Sequence, residues 1–381
     1  MKDFLTSQFK DAIPDLQEID TLLTEIKKTT DELTQSELAN IEKQSFNIAS
    51  KYGKSAADYL QAVQDAAGAG YKNAADIAEL SLAAQNAGGI TAELANQYIS
   101  ATDNAYRLGG SVEKLTAILD GASAISSSST VDMAELAEGM SLAGECTASL
   151  GLGADEATAA LATVIAATSQ GGAEAAQSLK TILLNTQQIT DEEQGIDGGG
   201  LARYAKACQA LNVSLEETKD GVTSLRDPMA VLKDLSQAYA GLAPGDMRKT
   251  NLLDSLGSAQ GAQALDAVLG NFGMYEAMLE KYTYGMGAMT KQAELTANSW
   301  EGSLNRLSNT WADTVGNLVN SDAVIATVNS LNEVLSVINN LTSALGPLGT
   351  AGLGAGLFAS FKNVGRDKMS SPIVLNIPTA A

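Results

Sequence analysis

The carboxylates that could perform acid–base chemistry occur as adjacent pairs in this sequence. Glu192-Glu193 lies in a glycine-rich stretch, and Glu216-Glu217 lies in a later polar segment. Catalysis by two carboxylates needs side chains that converge on one cleft, which sequence neighbours on a solvated surface do not do. We therefore interpret both pairs as surface charge.

Nucleophiles are present, but none has a neighbouring base. Ser126–Ser129 is a run of four serines in a chain that contains no histidine, which excludes His-dependent triads and HExxH zinc sites. Cys146 and Cys208 form no CxxC pair and are predicted to be buried apolar thiols. The Gly198–Gly200 triplet lacks the GK[ST] ending of a phosphate loop and is predicted to be a linker. The sequence predicts no enzyme, no cofactor and no metal site.

The composition favours helices that pack closely. Of 381 residues, 45% are hydrophobic but only 5% are aromatic, and proline occurs 6 times. Alanine, leucine, isoleucine and valine must therefore form the core. The sequence predicts an all-α fold, namely an array or bundle of short antiparallel helices with a longer C-terminal helix and a hydrophobic glycine-rich hairpin.

The charge balance is strongly acidic, with 45 acids against 24 bases and a net charge of -21. A nucleic-acid-binding protein normally presents a basic face, and none is visible in this sequence. We therefore expect no direct nucleic-acid recognition. The acidity favours solubility, a basic protein partner, or repulsion from DNA.

A repeat of roughly 20 residues extends from about residue 55 to residue 186. Each unit begins with a turn residue, has an acid two positions later, and continues as an apolar helical stripe. Ser and Thr are preferred N-caps, and an early acid interacts favourably with the helix dipole. The repeat therefore predicts one short helix per unit. The paired positions are Thr91 and Glu93, Ser111 and Glu113, Thr130 and Asp132, Gly153 and Asp155, and Gly172 and Glu174.

Beyond the repeat, Asp227-Pro228 predicts a helix start and Thr290–Leu318 predicts one long helix. The predicted segments are N-terminal amphipathic helices in 1–50, a repeated helical core in 51–186, a second helical part with Gly-rich and Pro-Gly loops in 187–322, an uncharged hydrophobic segment in 323–361, and a tail or truncation point in 362–381.

The stretch from Val334 to Phe361 carries no charged side chain. It is long enough to cross a bilayer, but Pro347 and several glycines favour a hairpin of two short helices over one straight span. Gly352 and Gly356 have the GxxxG spacing that lets helices approach closely in lipid. Two interpretations stay open, a membrane-active hairpin and a glycine-rich hairpin that packs against the soluble core. The membrane interpretation is defined by Leu341, Gly346, Pro347, Gly352, Gly356 and Phe361.

Five segments carry a family resemblance. In order, they are KYGKSAADYLQAVQDAAGAG with the residues that follow it, VIAATSQGGAEAAQSLKTILLN, SLRDPMAVLKDLSQAY, ANSWEGSLNRLSNTWADTVGNLVNSD and LGPLGTAGLGAGLFASFKNVGRDKM. Together they resemble the core region of phage tail tape-measure proteins of siphophages and prophages of Gram-positive hosts. The resemblance marks Arg226, Asp227, Pro228, Trp300, Glu301 and Gly302 as structural motif positions.

The resemblance implies a structural function in virion assembly. A tape measure lies in the lumen of the tail tube in several copies and sets tail length. It then leaves ahead of the DNA and assists ejection, here through the hydrophobic segment. The implied partners are the tail tube protein, tail assembly chaperones, distal tail or tip proteins and the host membrane. The implied locations are the host cytoplasm during assembly, the virion tail lumen, and the host membrane during ejection.

Two departures from the family and two alternative functions remain. The sequence lacks the coiled-coil ruler region that family members usually have, and it lacks the peptidase or muramidase domain that some members carry. The alternatives are a secreted helical effector that inserts into membranes and a coiled-coil adaptor. A secretion sequence would favour the effector, and a sustained heptad repeat would favour the adaptor.

Overall fold

The computed structural model describes residues 2–29, 35–187 and 202–319. Residues Gln17–Trp311 form one compact unit, which contains the helical array, and the described residues on either side belong to a second unit. The described residues form 16 helices and one two-stranded hairpin, so the predicted all-α class is confirmed.

The first nine helices precede the undescribed stretch that starts at residue 188. They are α1 (Lys2–Thr29), α2 (Gln35–Tyr52), α3 (Ala56–Gly68), α4 (Ala74–Gly88), α5 (Ala92–Tyr106), α6 (Val112–Ser127), α7 (Met133–Ser149), α8 (Ala154–Thr168) and α9 (Gly172–Thr186). The later elements are α10 (Arg203–Ala210), β1 (Glu216–Lys219), β2 (Val222–Leu225), α11 (Pro228–Ala240), α12 (Met247–Asp254), α13 (Ala259–Gly270), α14 (Phe272–Thr283), α15 (Ala288–Ala297) and α16 (Trp300–Val319).

The predicted repeat corresponds to α5 through α9, with one helix per unit. Thr91 caps α5 by accepting a hydrogen bond from the Leu94 amide at 3.2 Å. Two predicted caps were placed wrongly. Asp132 and not Thr130 is the N-cap of α7, and Gly171 rather than Gly172 precedes α9. In α7 the acid of the pattern is itself the N-cap residue, and its amide donates a hydrogen bond to the Glu135 carboxylate at 3.0 Å.

Alternate helices of the repeat form a row in which α7 packs between α5 and α9. The C-terminal ends of α5 and α7 meet, since Tyr106 Oη lies 3.1 Å from Thr147 Oγ1. The N-terminal ends of α7 and α9 also meet, where Gly172 faces the Glu135 carbonyl. The three helices therefore run in the same direction. Helix α6, which connects α5 to α7, and helix α8, which connects α7 to α9, run in the opposite direction.

The returning helices α4, α6 and α8 form a buried middle layer. In α8 every residue from Ala157 to Ile165 is buried, and most are Ala or Thr. A helix that is apolar around its whole circumference lies inside a core rather than on a surface. The abundance of alanine follows from this layer, because small side chains let it accept neighbours on all sides.

The C-terminal helices of the unit pack along this middle layer. Helix α13 packs on α8 and α9, α14 packs on α8 and α6, and α15 packs on α6, α4 and α2. At the far end, Asn309 of α16 accepts a hydrogen bond from the Ala56 amide at the start of α3. The two ends of the array are therefore joined by residues more than 200 positions apart in sequence.

Two further points differ from the sequence expectations. The predicted helix Thr290–Leu318 is two helices, α15 and α16, and Ser299 caps the second by accepting a hydrogen bond from the Gly302 amide at 3.2 Å. The β1–β2 hairpin was not predicted. The predicted hydrophobic segment 323–361 and the tail 362–381 lie outside the described residues.

Candidate functional site

The carboxylates and serines considered for catalysis serve structural purposes. Glu216 and Glu217 lie on β1, where Glu217 forms an exposed ion pair with Lys219 at 2.7 Å. Ser128 and Ser129 donate hydrogen bonds to the final carbonyl groups of α6. Glu192-Glu193 lies outside the described residues. Ser127 and Ser128 line a groove together with Lys281, whose ammonium group donates a hydrogen bond to the Ser128 carbonyl at 2.7 Å.

The two thiols differ in exposure. Cys208 is buried, and burial raises its pKa to about 12. Cys146 is only partly buried, so the prediction of two buried thiols holds for Cys208 alone. Burial also raises the pKa of Cys146. A raised thiol pKa disfavours the nucleophilic thiolate.

The buried aspartates act as helix and turn caps. Asp103 accepts two hydrogen bonds from the Gly110 amide, at 2.9 and 3.1 Å, and so closes the glycine turn after α5. Asp120 of α6 accepts from the amides of Gly287 and Met289, at 2.7 and 3.0 Å, at the start of α15. Within the described ranges, no group of acidic, cysteine or histidine side chains could hold a metal ion.

The Arg226-Asp227-Pro228 motif fixes the junction between the hairpin and α11. Arg226 forms an ion pair with Asp234 at 2.6 Å and donates to the Ser214 carbonyl at 2.9 Å. Asp227 caps α11 by accepting from the Ala230 amide at 2.8 Å, and Pro228 occupies the first turn, where no N–H donor is needed. The predicted helix start is confirmed, and its contacts are architectural.

The Trp300-Glu301-Gly302 motif begins α16, and Gly302 makes its closest contacts with other backbone atoms. A Cβ at Gly302 would lie 2.3 Å from the Ala297 carbonyl oxygen, and a Cβ at Gly53 would lie 2.7 Å from the Gly302 Cα. Only glycine allows the backbones of α16 and the α2–α3 turn to approach this closely. The Glu301 side chain is exposed.

A groove that the sequence did not reveal lies beside the loop between α14 and α15. Its volume is about 400 Å³. Tyr284 and Met286 project from this loop and are 81% and 94% exposed, and Lys281 and Lys291 line the groove. The only sequence signal is the alternation of large apolar side chains with glycine in Tyr284–Gly287.

The residues of the membrane interpretation, from Leu341 to Phe361, lie outside the described part of the chain. Among the helices that the structure describes, none combines the length and the apolar character needed to span a bilayer.

The buried carboxylates Asp103 and Asp120 thus cap a turn and a helix, and the two motifs marked by resemblance set local backbone contacts. A model of the family of phage-related minor tail proteins matches residues 42–258. This match covers more than half of the chain, and the protein belongs to that family. No curated protein and no solved structure matches the chain at the threshold applied.

The family match starts in α2 and ends just after α12. Helices α13–α16 therefore lie outside it, although α13, α14 and α15 cover the middle layer of the matched region. The folded unit extends beyond the family-matched segment.

Proposed function

We propose that this phage tail protein is a tape-measure protein whose array forms the folded core beside a length-setting segment. The observation that carries the proposal is membership of the minor-tail family, together with a described fold whose buried aspartates serve as caps. The protein would lie in the tail lumen of the virion after assembly in the host cytoplasm. Its partners would be the tail tube protein, tail assembly chaperones and distal tail or tip proteins.

The proposal is tested in a phage that carries this gene. A helix rises about 1.5 Å per residue, so inserting or deleting a helical segment of a length-setting region changes tail length by that amount per residue. Tail lengths are measured by electron microscopy. A matched control is a substitution in the array that preserves residue number, which leaves the length of completed tails unchanged. Viable insertion phages with unaltered tails would count against length setting.

We further propose that residues 334–361 assist DNA ejection by entering the host membrane. The support is the absence of charge, which removes the cost of placing ions in hydrocarbon. A peptide of residues 334–368 is expected to partition into anionic liposomes and release a trapped dye. A peptide with Gly352→Asp and Leu353→Asp is the control and stays in water, because each central charge costs about 3 kcal/mol. Absence of partitioning by the unmodified peptide would leave the packed-hairpin interpretation.

A further inference from the structure

The loop between α14 and α15 is held rigidly although it projects apolar side chains. Asp120 accepts hydrogen bonds from the Gly287 and Met289 amides. Gly285 is so close to α6 that an added Cβ would lie 2.7 Å from the Ala124 Cβ. A surface held in one conformation loses little entropy on binding. The exposure of Met286 is therefore built into the fold.

The groove beside this loop is basic in a strongly acidic chain. Lys281 donates a hydrogen bond to the Ser128 carbonyl at 2.7 Å, which places its ammonium group at the rim, and Lys291 is exposed on α15. From Lys281 to Gln292 the sequence contains two lysines and no acid, although Glu280 and Glu294 flank this stretch. We name the set Lys281, Tyr284, Met286 and Lys291 the basic patch.

A surface of opposite charge and similar apolar character lies on α7. Glu138, Leu142 and Glu145 follow one another at helical spacings of four and three residues, and all three are exposed. Leu142 is 42% exposed and is one of ten large apolar side chains that are exposed among the described residues. We name these three residues the acidic patch.

The two patches lie on different sides of the array. Helix α7 belongs to the row with α5 and α9, whereas α14 and α15 pack on the middle-layer helices, α14 on α6 and α8 and α15 on α4 and α6. One copy therefore cannot join its own patches. A contact between the basic patch of one copy and the acidic patch of another is heterologous, and such a contact repeats along a row of molecules.

We propose that the basic patch binds the acidic patch of a second copy of this chain. Two copies with a net charge of -21 each repel one another at a distance, so association requires a local pairing of opposite charges. The two lysines provide the cations, the two glutamates provide the anions, and Met286 and Tyr284 meet Leu142. The contact area is small, so association is weak in dilute solution and increases where copies are confined together. This contact does not depend on the length-setting role proposed above.

Zero-length cross-linking of the full chain tests the contact directly. A carbodiimide joins a lysine amine to a carboxylate only when the two groups touch. Mixing ¹⁴N- and ¹⁵N-labelled protein identifies the cross-links between copies by mass spectrometry. We expect mixed-isotope peptides that join Lys281 or Lys291 to Glu138 or Glu145, with a yield that falls as salt is added. Their absence at high protein concentration would overturn the proposal.

Charge reversal supplies the decisive comparison. K281E/K291E and E138K/E145K are each expected to lower self-association in sedimentation velocity by about tenfold, because like charges then face each other. The variant with all four changes restores complementarity and is expected to recover association. K72E/K114E changes two exposed lysines elsewhere and is the matched control. Loss in the single-patch variants without recovery in the combined variant would refute the pairing.

A second variant separates electrostatics from folding. Y284S/M286S keeps both lysines and removes exposed apolar surface, so helicity and thermal unfolding should stay unchanged while association falls. Unchanged association in this folded variant would show that the loop is not part of a contact.

Discussion

At the scale of single residues, the buried aspartates that the structure describes order the backbone. Asp120 shows this most clearly. It is buried on α6, and its two oxygens satisfy two free amides at the start of α15, 167 and 169 positions later in sequence. A side chain on α6, in the N-terminal half of the chain, thus fixes the start of α15 in the C-terminal half.

Removing this cap should be costly. Asp120→Ala leaves the partly buried Gly287 amide and the buried Met289 amide without their acceptor, and it is expected to lower the free energy of unfolding by about 2–3 kcal/mol. Asp120→Asn keeps one acceptor and should lose less. Thr91→Ala removes an exposed cap and is the control, with an expected loss of about 1 kcal/mol. Denaturant unfolding measures all three, and equal losses for the Asp120 and Thr91 variants would contradict the bridging role.

The buried tyrosines predict how stability depends on pH. Burial raises the pKa of Tyr59, Tyr98 and Tyr282, so above pH 10 the unfolded chain loses these protons before the folded chain does. Their contribution to stability is complete below the unfolded pKa and is lost as the pH rises. Each such tyrosine contributes a decline of about 1.4 kcal/mol per pH unit above about pH 10.

Tyr282→Phe isolates one of these protons. The Tyr282 hydroxyl is buried without a hydrogen-bond partner, so its removal should leave stability at pH 7 equal or higher. Between pH 10 and pH 11 the variant should lose less stability than the parent. Tyr284→Phe, at an 81% exposed side chain, is the control and should follow the parent. Identical profiles for the parent and Tyr282→Phe, measured by denaturation at each pH, would refute the assignment.

At the scale of elements, glycine positions decide how closely helices approach. Within α7, an added Cβ at Gly139 would lie 2.6 Å from the Leu161 Cδ2 atom and 2.9 Å from the Gly172 carbonyl oxygen. An added Cβ at Gly144 would meet only the Ala105 Cβ, at 3.5 Å, an ordinary contact distance. One helix thus contains a glycine that packing requires and one that packing does not require.

The two alanine substitutions should therefore have opposite signs. Gly139→Ala is expected to destabilise the fold by about 1–3 kcal/mol, because the overpacking outweighs the gain in helix propensity. Gly144→Ala is expected to stabilise it by about 0.5–1 kcal/mol through propensity alone. Thermal and denaturant unfolding measure both. A stabilising Gly139→Ala would show that α7 and α9 can separate at little cost.

At the scale of the whole molecule, the C-terminal helices α13–α15 complete a core that the family-matched segment contains only in part. Helices α13, α14 and α15 cover apolar faces of α8, α6 and α4. A chain that ends at residue 258 would expose these faces to water, at a cost of roughly 25 cal/mol for each Å² of apolar surface.

Truncation tests this dependence. A chain of residues 17–319 is expected to unfold in one cooperative transition and to bind little hydrophobic dye. A chain of residues 17–258 should aggregate or bind the dye strongly. Size-exclusion chromatography and dye fluorescence distinguish them. A monomeric, cooperatively unfolding shorter chain would show that α13–α16 are accessory.

Much of the fold followed from sequence because its signals are local. Capping residues, acids in the first turn and apolar stripes act within one helix, and they predicted the five helices α5–α9 and the start of α11 at Pro228. The absence of histidine likewise excluded imidazole chemistry without any structure. The motif positions Arg226 and Gly302 were marked by resemblance, but the sequence did not show what they touch.

What the sequence could not determine is long-range. The position of α16 against the α2–α3 turn involves the close approach of Gly302 to Gly53, and the start of α15 is held by Asp120; each pair is far apart along the chain. The exposure of Tyr284 and Met286 could not be predicted from sequence either, because apolar side chains next to glycine occur both in buried cores and on exposed loops. Local backbone preferences thus determined where the helices form. The packing of α13–α15 on the middle layer of α4, α6 and α8 determined which residues are buried and which are exposed.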